Sequence, residues 1–386
     1  MKMPVMRFML KLALALAIVF VVNALLLGRS AALQFLDDHR PGQSQLSALA
    51  WIESQALHVE AEASRPAPTA GRVVFAGSSS VVNGIDVFRI RDTWRMNGVD
   101  VWPVNYGLTS FSAAELTFLT DQLLARDVRL VVFPYNTFSF PDRFHPQAIN
   151  ARWKTAEFFR EAPWRMILSP AFPISRPVLG DILPLVRFDR LLAEIIILRL
   201  KRLPTRPPAS YDYPDNEPMR PAADKRLTPP RRINPREYLQ GIYLDSDRDG
   251  HTLGYDGLSR FLDLARLKNI PVILMPVPEP DFGYRYGIRR ERIDRHVGRI
   301  AAEFGVPEWP HLREIERNDS LFRDNVHLHS IGRERYSDWL ARAIEPILEH
   351  CVLIVPTIVH APAEKFVFAE EQRCVLQRVK QFPPQM

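Results

Sequence analysis

The chain predicts an α/β fold: a doubly wound parallel sheet with helices on both faces. Three observations carry this expectation. Short runs rich in β-branched residues recur at 72–76, 99–104, 128–133 and 270–275. Amphipathic stretches of helical period follow or separate them at 112–125, 256–268 and 331–348. The strands end in turns of small, polar or proline residues: Gly77-Ser78-Ser79-Ser80, Asn105-Tyr106-Gly107, Pro134-Tyr135-Asn136 and Pro276-Val277-Pro278. Alternating strands and helices bury both faces of a parallel sheet, and such sheets bind ligands outside the C-terminal ends of their strands.

Residues 1–30 come first. Lys2, Arg7 and Lys11 precede an apolar run at 12–27, interrupted only by Asn23 and closed by Gly28 and Arg29. Its length is short for a membrane span and long for a signal-peptide core. The expectation is a transmembrane anchor with its N-terminus in the cytoplasm, because basic residues flank the cytoplasmic side. The alternative is a signal cleaved near Ser30-Ala31-Ala32. Both export everything that follows. Residues 31–71 form a linker with a helix over 46–62, stopped by Pro66, Pro68 and Gly71.

The α/β domain then spans 72–348. The run at 72–76 ends in Gly77, as a buried strand does before a tight turn. The helix over 112–125 carries Ser112 as N-cap with Glu115 three residues on, the spacing of a capping box. In the helix over 256–268, Leu258, Phe261, Leu262 and Ala265 share one face. An insertion rich in proline and arginine occupies about 140–245. Within it, 182–203 is strongly apolar but carries too many charges for a membrane span. It is either a core-packed helix or one that docks at a membrane surface. Residues 349–386 form a tail in which 352–359 and 365–369 pair as a hairpin.

Composition narrows the function classes. Net charge is +6, yet no basic block is interleaved with aromatics and no helix-turn-helix or zinc-finger spacing occurs, so nucleic acid is not an expected partner. Two cysteines, Cys351 and Cys374, exclude a disulfide scaffold and a cysteine-based zinc site; they are either one bridge or two thiols. Asp245-Ser246-Asp247-Arg248-Asp249-Gly250 matches the first half of a calcium loop. Its twelfth position is Asp256 rather than Glu, so a polar turn before a helix is the better reading. No metal or cofactor is expected.

Two motifs carry the chemistry. The turn after the first strand presents serine hydroxyls, with Ser79 two residues after Gly77. Far along the chain, Asp324-Asn325-Val326-His327 sets a carboxylate three residues before an imidazole. A hydroxyl, a base and a group that orients the base are the minimum for acyl transfer through serine. His329 competes as base. Gly107 and Asn136, each ending a strand, supply candidate donors for an oxyanion. Taken singly, each has an ordinary reading: a serine-rich turn, a surface ion pair, a turn glycine, a capping asparagine.

In order, Gly-x-Ser, Gly, Asn and Asp-x-x-His resemble the blocks of the SGNH (GDSL-like) hydrolase superfamily across about 72–348. The resemblance implies a flavodoxin-like sheet with Ser79 as nucleophile, His327 as base and Asp324 as its orienter. It also implies an oxyanion hole from Ser79, Gly107 and Asn136. Ser78 replaces the usual Asp of Gly-Asp-Ser, and Pro134-Tyr135-Asn136-Thr137 replaces Gly-x-Asn-Asp. With its N-terminal anchor, the chain looks more like the membrane-anchored, DltD-like branch. That branch implies a single-pass inner-membrane protein with an extracytoplasmic catalytic domain. It would be a serine O-acyltransferase or esterase acting through an acyl-enzyme on a cell-envelope glycan or polymer, beside a membrane-bound O-acyltransferase. The alternative is a non-catalytic scaffold or glycan-binding partner that keeps the fold.

Overall fold

The computed structural model describes residues 37, 46, 48–65, 71–109, 111–137, 139–140, 189–200, 252–280, 290–323 and 327–349. The expected anchor, most of the insertion, the calcium-like sequence, Asp324, both cysteines and the tail beyond residue 349 lie outside them. Among the described residues no helix is long and apolar enough to cross a membrane.

The chain divides into two compact units. The first comprises Met1–Pro66, Asn150–Ala156 and Pro173–Pro208. It contains α1 (Ala48–Ala63) and a helix over Asp189–Leu200. Glu53 joins them, its Oε2 accepting the Leu191 N–H at 2.9 Å. Part of the expected insertion therefore groups with residues that precede the sheet. Core packing describes buried Leu191, but Ile196 and Ile197 on the same helix are 57% and 47% exposed.

The second unit holds the sheet. β1 (Arg72–Gly77) leads to a short helix α2 (Ser79–Gly84) and then α3 (Val87–Met96). β2 (Trp102–Gly107), β3 (Val128–Tyr135) and β4 (Val272–Pro276) complete four parallel strands in the order β2-β1-β3-β4. α4 (Leu253–Leu267) precedes β4, α5 (Arg290–Phe304) follows it, and α6 (Ser330–Ile347) closes the unit. A fifth position beside β4 holds one parallel bridge, Leu274 to Glu308. Pro307 and Pro310 flank it and deny it a longer ladder, since proline cannot donate.

Both faces of the sheet are covered, and strand alternation says by what. Val73 and Phe75, Leu130 and Val132, and Ile273 and Met275 pack with Trp94 of α3 and with Trp339, Leu340 and Ile344 of α6. Trp94 Nε1 donates to Ala341 O at 2.9 Å, which ties α3 to α6. Tyr135 stands two residues beyond Phe133, on the other face. Its ring meets Phe140 edge-on at 5.8 Å, and Phe140 stacks on Tyr255 of α4 at 4.6 Å. α4 therefore covers the second face, as the alternating pattern predicts.

Several element edges differ from the sequence expectation, and three of them bear on packing around the site. β2 starts at Trp102 rather than at 99 and runs through Gly107, so Asn105 and Gly107 are its last residues and not a turn after it. The expected helix over 112–125 is a 3₁₀ helix, Ala113–Leu119, followed by a single α turn, Thr120–Leu123. Close packing goes with the tighter winding: a Cβ on Gly257 of α4 would lie 2.5 Å from Ala114 Cα. α4 itself starts before Asp256, because the Thr252 side chain caps it by accepting from Tyr255 N–H.

Candidate active site

In this strand order the direction of winding reverses between β1 and β3, and the crevice outside their C-terminal ends is where such sheets hold ligands. The Ser79 turn follows β1 and Asn136 follows β3, so both stand at that end of the sheet.

The turn is built by close contacts. A Cβ on Gly77 would stand 2.6 Å from Val81 Cγ2 and 2.9 Å from Pro134 O, so only glycine lets β1 pass into α2 here. Ser78 caps α2 with extended backbone, and its Oγ accepts from Ser80 N–H at 3.3 Å. Ser78 and Ser80 are buried, whereas Ser79 between them is half-exposed. Ser79 N–H has no acceptor among the described residues. At the other end of α2, Asn105 Nδ2 donates to Val81 O at 3.0 Å and Ile85 O at 3.2 Å.

Gly107 pairs with Gly77 in register. A Cβ there would meet Val82 N at 2.7 Å, so the α2 backbone rests directly on the end of β2. Gly107 N–H donates to Asn105 Oδ1 at 2.9 Å. Its expected role as an oxyanion donor would require that bond to open.

His327 comes from a tight reversal ahead of α6. Phe322 and Leu328 form an antiparallel bridge, and Arg323 N–H donates to His327 O at 2.9 Å. Leu328 is buried in the core, which leaves the half-exposed His327 side chain on the opposite side. His327 Nε2 lies 2.9 Å from Ser79 Oγ. His329, the competing base, is occupied elsewhere. Its Nδ1 accepts from Ile331 N–H at 3.0 Å, capping α6, while its Nε2 donates to Ser320 O. Asp324 lies outside the described residues.

Asn136 is 3% exposed and fully engaged. Its Nδ2 donates to Ser78 Oγ at 2.9 Å and to Ser80 Oγ at 3.0 Å, and its Oδ1 accepts from Ser139 Oγ at 3.0 Å. The next residue, Thr137, donates its N–H and its hydroxyl to Glu279 Oε1 at 3.1 Å and 2.9 Å. Glu279 is paired with Arg290 at 3.1 Å, and Arg290 also meets Glu316 at 3.2 Å, with all three side chains buried. Burial pushes the Glu279 carboxyl above its usual range, against the pull of Arg290 and Thr137. His311 extends this network, lying 3.0 Å from Glu316 Oε1 and 2.9 Å from Asp294 Oδ2. Burial lowers the His311 imidazole, but the bonds to Asp294 and Glu316 outweigh it, and the net shift is upward.

The structure thus brings Ser79, His327, Gly107 and Asn136 to one end of the sheet. Ser139, Glu279 and Arg290 join them without having been expected there, and Ser78 and Ser80, expected as turn residues, accept from the Asn136 amide. The one sequence signal for that second group is Pro278-Glu279-Pro280, a carboxylate held between two prolines where β4 ends. Among the described residues no cluster of ligands suits a metal ion.

No family model and no curated protein matches the chain. Among solved structures it is similar to one titled "Crystal Structure of TesA", at 14% identity and a TM-score of 0.36, over 71% of this chain and 98% of that one.

Proposed function

We propose that the chain is a serine acyltransferase or esterase that works through an acyl-enzyme on Ser79. The observation that carries this reading is the 2.9 Å contact between Ser79 Oγ and His327 Nε2, formed in a crevice where both side chains meet solvent. Ser79 Oγ attacks an ester carbonyl while His327 Nε2 takes the hydroxyl proton. The tetrahedral oxyanion forms beside Ser79 N–H, a backbone donor of the turn that has no acceptor among the described residues. Collapse expels the alcohol, which takes the proton back from His327. A second hydroxyl then attacks the acyl-serine and gives its proton to His327. The second intermediate collapses by breaking the bond to Ser79 Oγ, which takes the proton from His327; water as acceptor thus releases the acid, and a sugar hydroxyl yields a new ester. Asp324, three residues before His327, orients the imidazole in this reading.

The substrate side of the reading rests on sequence. An exported, membrane-anchored chain of this kind meets the acyl groups of an envelope glycan or polymer, with a membrane-bound O-acyltransferase as the partner. A non-catalytic scaffold is the second reading. It is favoured by the engagement of Gly107 N–H and of the Asn136 amide with the protein itself.

A fluorophosphonate probe separates the two. Wild-type protein is expected to be labelled at one serine, and Ser79→Ala to abolish labelling. Equal labelling of the variant removes Ser79 as nucleophile. A wild-type protein that resists the probe favours the scaffold.

A further inference from the structure

We infer that Asn136 is a positioning residue that clamps the Ser79 turn from both sides and is not a donor to the reacting oxygen. The inference rests on the acyl-transfer reading for its functional meaning, but its geometry stands apart from it.

An asparagine amide carries two hydrogens. Here they go to Ser78 Oγ and Ser80 Oγ, at 2.9 Å and 3.0 Å, the residues immediately before and after Ser79. Both serines are buried, at 6% and 2% exposure, so lending a hydrogen to an oxyanion would take a donor from one of two buried hydroxyls. The clamp does not depend on the orientation assigned to the amide. Turned over, Oδ1 would accept from the two serine hydroxyls, Nδ2 would donate to Ser139 Oγ, and the same three contacts would remain.

The clamp is itself anchored. Asn136 N–H donates to Ser139 Oγ at 3.0 Å, and Thr137 is held twice by Glu279. Ser78 caps α2 and Ser80 is its second residue, so fixing both fixes the direction of the Ser79 side chain toward His327. Two departures from the resembled family, Ser78 for aspartate and the changed surroundings of Asn136, thus meet in one hydrogen bond.

The test uses the full chain as wild type, Asn136→Ala, the double variant Ser78→Ala/Ser80→Ala, and the triple variant. Crystal structures read the Ser79–His327 distance and fluorophosphonate labelling reads the rate. The clamp predicts that Asn136→Ala and the serine double variant each lengthen the contact beyond about 3.5 Å. Each slows labelling by about 100-fold, as a misplaced nucleophile does, and the triple variant loses no more than either. An unchanged 2.9 Å contact in Asn136→Ala overturns the inference. So does a serine double variant that labels at the wild-type rate while Asn136→Ala is slowed. Should Asn136→Ala fail to fold, Ser80→Ala deletes one arm and is read by the same distance. A wild-type protein that is not labelled sinks the acyl-transfer reading alone, because the distances still decide the clamp.

Discussion

Ser79 Oγ and His327 Nε2 meet at 2.9 Å although 248 residues separate them along the chain. Two packed contacts make the meeting. The Gly77 turn leaves β1 with α2 packed on the end of β2, and the Phe322–Leu328 bridge holds the reversal that ends at α6. Val81, two residues after Ser79, and Leu328, next to His327, lie in the same buried core, which positions the pair from both sides.

That pairing separates the two histidines of the motif. His327→Gln is expected to slow fluorophosphonate labelling by about 10³-fold or more, because the base is gone. His329→Ala is expected to leave labelling intact and to cost about 1 kcal/mol of stability, the usual loss for a helix cap. Parallel labelling and thermal melts check both. A His329 variant that melts like wild type and loses labelling would exchange their roles.

Gly107 tests how tightly α2 rests on the sheet. In Gly107→Ala the new methyl meets the Val82 backbone nitrogen at 2.7 Å and Val82 Cγ2 at 2.9 Å, so α2 must lift. The expected cost is about 1–3 kcal/mol in urea unfolding, with slower labelling because Ser79 opens that helix. A variant as stable and as reactive as wild type would show that α2 floats above β2.

Much of this arrangement was legible beforehand, for physical reasons that also mark the limit. β1 and β3 are buried on both faces, so they read as apolar runs, and the turns after them carry the chemistry. α5 was not foreseen. Its apolar stripe is only Ile293, Val297, Ile300 and Ala301 among many charges, and the burial of Arg290 comes from partners distant in sequence. Asn136 was visible as a polar residue ending a strand. Its partners were not, because Ser78 and Ser80 reach it only through the parallel pairing of β1 with β3. The winding of 113–119 depends on contact with α4, which no local propensity encodes.

His311 gives the fold a pH dependence whose sign is set. Its imidazole bridges Asp294 and Glu316 with Arg290 nearby, and its pKa in the folded protein is raised. The stability it contributes is fully present below the unfolded value, about 6.5, and is lost as pH rises through the higher folded value. The melting temperature of wild type relative to His311→Gln is therefore expected to be highest near pH ~6 and to narrow toward pH ~9. A difference that grew with pH would mean that the ring is held neutral.

Arg290 is the charge on which the buried acids depend. Its guanidinium meets Glu279 at 3.1 Å and Glu316 at 3.2 Å and donates to Val277 O at 3.0 Å, with Arg290 itself 2% exposed. Arg290→Met keeps much of the volume and leaves two carboxylates buried without that partner, at an expected cost of about 3–5 kcal/mol near neutral pH. Burial already pushes the Glu279 carboxyl up, and loss of the cation pushes it further. A carboxyl raised in the folded state favours folding below its unfolded value and loses that advantage as pH rises, so the deficit is expected to shrink as pH falls from about 8 to about 5. Adding Glu279→Gln is expected to restore part of the loss, since the amide stays neutral and its oxygen still accepts from Thr137. Urea midpoints across that range check both, and a deficit independent of pH would mean that Arg290 acts there through packing rather than charge.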